Sequence, residues 1–252
     1  MIGIFDSGTG GMSVYREIRK VLPRERYVYF SDNAHCPYGD KSVEYVRERG
    51  RAITRFLLGK GADIIVIACN TATAAAVAAL RAEFPDVPFI GMEPAVKPAA
   101  LGTRTGVIGV LATAGTLKGS KYLTTKGKYE DNVKIVEAVG RGFVELVEAG
   151  ELEGPHTEEV VARSLQPLLD AGADTIVLGC THYPFLTKTI GKLAGPGVRV
   201  IDPAPSVARH LVDVMTEKDL LRGDAVGEND IELVSSGDPA PLQRIYQNME
   251  SL

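Results

Sequence analysis

The chain has 252 residues, 45% of them apolar and 24% charged, with a formal net charge of −4. That is enough chain to bury a sizeable core in one large or two small domains, and the negative balance argues against nucleic acid as the main partner. No apolar run reaches the length of a membrane span. Met1-Ile2-Gly3-Ile4-Phe5-Asp6 enters a strand without a basic-then-apolar leader, and three cysteines are an odd number; free thiols in a reducing, cytoplasmic setting are expected.

In chain order, Ile2 to Phe5 reads as an apolar strand, followed by the turn Asp6-Ser7-Gly8-Thr9-Gly10-Gly11 and a helix over Ser13 to Val21. Tyr27 to Phe30 is a strand. Ser31 to Asp40 is a loop holding Pro37-Tyr38-Gly39, and Ser42 is a good N-cap for a helix running to Leu58. A strand ending at Cys69 follows, then an alanine-rich helix from Ala72 to Ala82, a short strand from Pro88 to Gly91 and a proline-bearing connection from Met92 to Ala99. A second cycle begins with a strand over Gly106 to Leu111. After it come a strand at Lys134 to Ala138, helices at Phe143 to Ala149 and Thr157 to Ala171, and a strand ending at Cys180. Gly197 to Ile201 is a strand and Pro205 to Leu220 a helix; Ile231 to Ser235 and a helix after Asp238 close the chain. Alternating strands and helices predict parallel α/β sheets.

One stretch occurs twice. Gly61-Ala62-Asp63-Ile64-Ile65-Val66-Ile67-Ala68-Cys69 returns as Gly172-Ala173-Asp174-Thr175-Ile176-Val177-Leu178-Gly179-Cys180, and Ile108-Gly109-Val110-Leu111 repeats Ile2-Gly3-Ile4-Phe5. The fold class is therefore α/β: two similar parallel-sheet domains related by pseudo-two-fold symmetry, with the active site between them. Residues 1–96 with 207–252 are expected to form the first domain and 97–206 the second. The apolar runs read as buried parallel strands. Open α/β sheets bind ligands beyond the carboxyl ends of their strands, where each repeat places a cysteine, so the two thiols are expected to face each other across one pocket.

A lone cysteine after a buried strand is usually an inert core residue; recurrence in both halves argues otherwise. Asn70-Thr71 and Thr181-His182 follow the two thiols at what reads as the start of a helix, whose free N–H groups favour an anion and would depress a thiol pKa from about 8.5. Asp6 and Ser7 end the first strand. Asp6 is either a capping residue or a carboxylate that handles the proton of Cys69, and the glycines after it fit a tight turn with exposed N–H groups rather than a phosphate loop. Tyr38-Gly39 fits a ligand contact or a simple turn after Pro37. His182 could donate a proton or polarise Cys180. Cys36 has no counterpart in the second half and reads as a bystander near the pocket. His35, His156 and His210 have no functional context, and Glu148 is locally one more helix-end acid. Two cysteines and a histidine lack zinc-site spacing, so no metal is expected, and nothing resembles a Cys-x-x-Cys redox pair.

Two equivalent thiols suit a racemase, in which one group takes the Cα proton and another returns one from the opposite face. No lysine context points to pyridoxal phosphate and no dinucleotide fingerprint is present, so no cofactor is expected. A racemase for another small acid such as aspartate, and a non-catalytic amino-acid-binding clamp, are the alternatives. Phe5-Asp6-Ser7-Gly8, Gly10-Gly11, Pro37-Tyr38-Gly39, Ala68-Cys69-Asn70-Thr71-Ala72 and Gly179-Cys180-Thr181-His182-Tyr183-Pro184 together resemble the bacterial glutamate racemases of the cofactor-independent aspartate/glutamate racemase family. The resemblance implies Cys69 and Cys180 as acid/base catalysts, acting on the D and L isomers respectively, with Asp6 and His182 as proton-handling partners. It adds Glu148, from a Phe-Val-x-Leu-Val-Glu segment, and places Asp6, Ser7, Tyr38, Gly39, Asn70, Thr71, Thr181 and His182 on substrate-contacting positions. It further implies glutamate as substrate, a homodimer, domain closure, and D-glutamate for peptidoglycan.

Overall fold

A computed structural model describes residues 1–222 and 230–249. The first cycle comprises β1 (Ile2–Asp6), α1 (Met12–Val21), β2 (Tyr27–Ser31), α2 (Val43–Gly59), β3 (Ile64–Ile67), α3 (Asn70–Glu83) and β4 (Phe89–Ile90). Then come α4 (Val96–Gly102), β5 (Val107–Ala112), α5 (Ala114–Leu117), α6 (Ser120–Gly127), β6 (Lys134–Val139), α7 (Phe143–Ala149), α8 (Pro155–Asp170) and β7 (Thr175–Gly179). The chain continues with α9 (Thr187–Ala194), β8 (Arg199–Ile201), α10 (Ala204–Glu217), β9 (Ile231–Ser235) and α11 (Ala240–Asn248).

Both sheets are parallel. One has the order β4-β3-β1-β2-β9 and the other β6-β5-β7-β8. Read from the opposite edge, the second sheet repeats the first four strands of the first, and even the register is kept. Ile2 pairs with Ile64, and their counterparts Ile108 and Thr175 pair as well. Every residue of β1, β3 and β7 is buried, as central parallel strands covered by helices on both faces require. The Gly-Ala-Asp entrance is also reproduced: Gly61 and Gly172 share φ = 89°, a left-handed conformation that glycine adopts without steric cost. The aspartate N–H then bonds the carbonyl before or at the start of the neighbouring strand, Met1 for Asp63 and Val107 for Asp174.

The tail returns to the first sheet, where β9 pairs with β2. Helix α10 lays Ala204, Val207, Ala208, Leu211 and Met215, at helical spacing, into one core with Met12, Val14, Tyr15 and Ile18 of α1. Ser42 caps α2 by accepting from the Tyr45 N–H at 3.2 Å. Two readings need correction, and one stretch left unassigned gains structure. The connection after Met92 contains helix α4. The stretch between β5 and β6, given no element above, folds as α5 and α6. After Cys180 the chain makes a 3-10 turn over Tyr183–Leu186 before α9, so the second thiol does not sit on a helix N-terminus as the first does.

Candidate functional site

Strand order reverses between β1 and β3, and between β5 and β7; the crevice at such a switch point is where open α/β sheets take ligands. A small, tightly closed pocket lies there. Its walls on the first-sheet side carry Ser7, Tyr38, Gly39, Cys69, Asn70 and Thr71; on the other side stand Thr113, Val144, Cys180, Thr181 and His182. The two thiols, from corresponding ends of two corresponding strands, therefore share one buried cavity, at 5% and 7% exposure. A larger pocket of about 450 Å³ adjoins it, sharing Gly39 and Thr71, and has Lys41, Arg47 and Lys118 on its walls.

The surroundings of Cys69 follow from helix geometry. It occupies the N-cap of α3, and its sulfur accepts from the Ala72 N–H at 3.4 Å. The Ser7 hydroxyl lies 3.9 Å away. The expectation of a depressed thiol pKa is overturned: burial pushes the Cys69 thiol well up, the charge of Asp6 adds to this, and the Ala72 N–H offsets only part of it. In this enclosed site desolvation outweighs the helix terminus.

Cys180 faces a different partner. Its sulfur is 3.8 Å from His182 Nδ1, and Nε2 of the same ring is 2.8 Å from Glu148 Oε1. That oxygen also accepts from the Thr9 N–H at 2.7 Å and the Thr9 hydroxyl at 3.1 Å. Burial works against charge on His182, but the hydrogen bonds and charges of Cys180 and Glu148 overcome it and hold the imidazole well above its ordinary pKa. Burial likewise opposes ionisation of Glu148, yet His182 and Thr9 hold its carboxyl below the usual value. The result is a Glu148–His182–Cys180 chain that keeps a proton on the imidazole.

Asp6 is fully buried, and burial raises its pKa against the opposing charge of His182 and the Gly11 N–H. The turn N–H groups expected to be exposed are taken: Gly8 and Gly11 donate to Asp6 Oδ2 at 3.3 and 2.9 Å, and Thr9 to Glu148. Asp6 Oδ1 accepts from the Thr181 hydroxyl at 3.5 Å, tying the two sheets together. The glycines serve close approach. A Cβ on Gly10 would lie 2.3 Å from His182 Nδ1, and one on Gly8 2.3 Å from Glu148 Oε1. The Tyr38 hydroxyl donates to Asp32, which Arg49 grips through two hydrogen bonds of 2.7 and 2.8 Å. Its ring is thus a fixed wall, and its hydroxyl is already spoken for. Asn70 is buried at 3% exposure, and among the described residues neither its amide oxygen nor its nitrogen has a partner, a cost that a polar ligand would relieve.

Two contributors escaped the sequence reading. Thr113 bonds Thr71 at 2.7 Å and Thr116 at 2.9 Å, hydroxyl to hydroxyl, on the cavity wall; Thr9 anchors Glu148. The β1–β5 repeat carries the signal for Thr113, because it stands after β5 where Ser7 stands after β1. Cys36, expected near the pocket, lies next to Glu148 and His182.

The chain matches the family described as Asp/Glu/Hydantoin racemase over residues 2–211. It is 48% identical over 244 residues to a glutamate racemase of Stutzerimonas stutzeri, covering 97% of this chain and 91% of that protein. With a glutamate racemase of Methylococcus capsulatus it shares 50% identity over 242 residues, covering 96% and 88%. Among solved structures, a glutamate racemase isoform from Bacillus anthracis superposes with a TM-score of 0.87 at 32% identity, covering 100% and 94%. The Escherichia coli glutamate racemase, in complex with L-glutamate and the activator UDP-MurNAc-Ala, gives 0.86 at 34% identity, covering 98% and 94%. With a family match across most of its length and relatives of this similarity, the chain belongs to the Asp/Glu/hydantoin racemase family.

Proposed function

We infer that this chain racemises glutamate with Cys69 and Cys180 as the two proton-transfer groups, without a cofactor. The observation that carries the reading is that both sulfurs line one buried cavity from opposite sheets. A thiolate on one side removes the Cα proton, and the thiol on the other side delivers one to the opposite face of the carbanion. His182 stands against the Cys180 sulfur as its proton-handling partner, with Glu148 holding the ring. Asp6, whose charge bears on the Cys69 thiol, handles the proton on the first side. Ser7, Asn70, Thr71 and Thr181, with the backbone of Tyr38-Gly39, hold the ammonium and carboxylate groups, and Asn70's unpaired amide supports this assignment. Thr113 joins them. The lysine- and arginine-lined larger cavity serves as the vestibule that admits a dicarboxylate.

Relatives caught with each enantiomer support the substrate: the Escherichia coli structure contains L-glutamate, and a Francisella tularensis glutamate racemase, 28% identical with a TM-score of 0.85, contains D-glutamate. The wider proposal is a cytoplasmic homodimer supplying D-glutamate for peptidoglycan, with residues 1–96 and 207–252 as one domain and 97–206 as the other. The absence of any described helix long and apolar enough to cross a membrane is compatible with this. The test is incubation with L-glutamate in D₂O, followed by NMR and chiral separation. Loss of the α-proton signal together with formation of D-glutamate is expected. Retention of the α-proton in folded protein would overturn the reading.

A further inference from the structure

We propose that Cys36, Glu148 and His182 form a binding site for one thiophilic divalent cation, of the zinc or cadmium type, at the edge of the thiol cavity. Each of the three offers a ligand atom, and these atoms lie within 4.8 Å of one another. Sulfur, imidazole nitrogen and carboxylate oxygen are the donor set that such ions take, with three protein ligands and one open position. A tetrahedral ion holds such donors about 3.3–3.6 Å apart, from its bond lengths of about 2.0–2.3 Å. Side-chain shifts of roughly 1 Å would close the site to that geometry.

The three ligands come from three separately anchored pieces of chain: the loop after Asn33–His35, helix α7, and the segment following β7. Glu148 is already oriented by Thr9 through two hydrogen bonds to Oε1, the kind of outer support that fixes metal ligands. Gly8 keeps the space open. A Cβ there would fall 2.3 Å from Glu148 Oε1 and 3.0 Å from Cys36 Sγ. Binding would displace the proton shared by His182 and Glu148 and the thiol proton of Cys36, both released to solvent.

Filling this site takes His182 and Glu148 out of the proton path and inhibits racemisation; that consequence rests on the proposed function, whereas the binding itself does not. The probe is Cd²⁺, titrated into reduced, metal-free protein and followed by the thiolate-to-cadmium absorbance band. The wild type is expected to take up one equivalent. Cys36→Ala and Glu148→Gln should each lose about tenfold or more in affinity, while Cys69→Ala keeps the band. Cys36→Ala should still racemise glutamate and should resist the cation. A Cys36→Ala protein that binds Cd²⁺ like the wild type, or a Cys69→Ala protein that loses the band, overturns the site. Binding of the expected pattern without inhibition would count against the His182–Glu148 path and leave the site standing.

Discussion

The ends of β3 and β7 carry the same cysteine on the same strand in the same register, yet their surroundings differ. Cys69 caps a helix and touches a backbone N–H and a serine hydroxyl, with no histidine bonded to it. Cys180 precedes a 3-10 turn rather than a helix and leans on His182, which Glu148 holds from across the site. The repeated strands thus carry two sulfurs at equivalent places, and the differing loops surround each in its own way: hydrogen-bond donors with the charge of Asp6 nearby on one side, and an ion pair on the other. Two thiols need not be matched chemically to serve opposite faces of one carbon. They need only be poised for opposite roles when substrate arrives.

The comparison breaks outright if either sulfur is dispensable. Cys69→Ser and Cys180→Ser should each lower kcat by about 10²–10⁴-fold, the usual worth of a positioned acid or base. One variant should still exchange the α-hydrogen of a single enantiomer in D₂O. Near-wild-type turnover in either variant, followed by circular dichroism, would end the two-base scheme. His182→Asn sharpens the asymmetry. We expect kcat/KM to fall about 10-fold or more, equally in both directions, because enantiomers have equal free energy. The substrate deuterium isotope effect should then rise only when L-glutamate, the isomer assigned to Cys180, is the substrate; an equal rise in both directions would refute the assignment.

Glu148→Gln tests the ion pair through stability. His182 is raised above its ordinary value of 6.5, so its contribution is complete below that pH and fades as pH climbs through the folded value. Glu148 is lowered from 4.5, so its contribution is present above that pH and fades as pH falls through the folded value. The wild type should therefore exceed the variant most between pH 4.5 and 6.5. The difference should be about 2 kcal/mol, less than for a fully buried pair, because Glu148 keeps 21% of its side chain exposed. Urea unfolding across pH measures it, and a pH-independent difference would deny the pair. The smallest effect belongs to Tyr38→Phe. Its hydroxyl serves Asp32 rather than the cavity, so stability should drop by about 1 kcal/mol while KM for glutamate stays within about twofold. A large rise in KM would show that the hydroxyl contacts substrate.

Much of this site could be read from the chain because its most informative feature is local. A buried parallel strand is a short β-branched run between turn residues, and seeing one twice reveals both the duplicated architecture and the paired thiols. The helices α5 and α6 could not be read this way. Gly115 and Gly119 weaken the local helical signal, yet a Cβ on them would lie 2.9 Å from Thr71 and 2.7 Å from Ala74. They are glycine so that this segment can pack tightly on α3, a demand that comes from the partner rather than the segment.

Sequence alone determined the alternation of elements, the repeated strands, and the presence of a cysteine after each, since these depend on hydrophobic period and turn chemistry within a few residues. Folding decided how each thiol is tuned. Whether the helix terminus or burial governs Cys69, whether Glu148 reaches His182, and whether Cys36 stands beside them all depend on groups far apart in the chain. Desolvation and ion pairing act through space, so their balance is set only when the two sheets close around the same cavity.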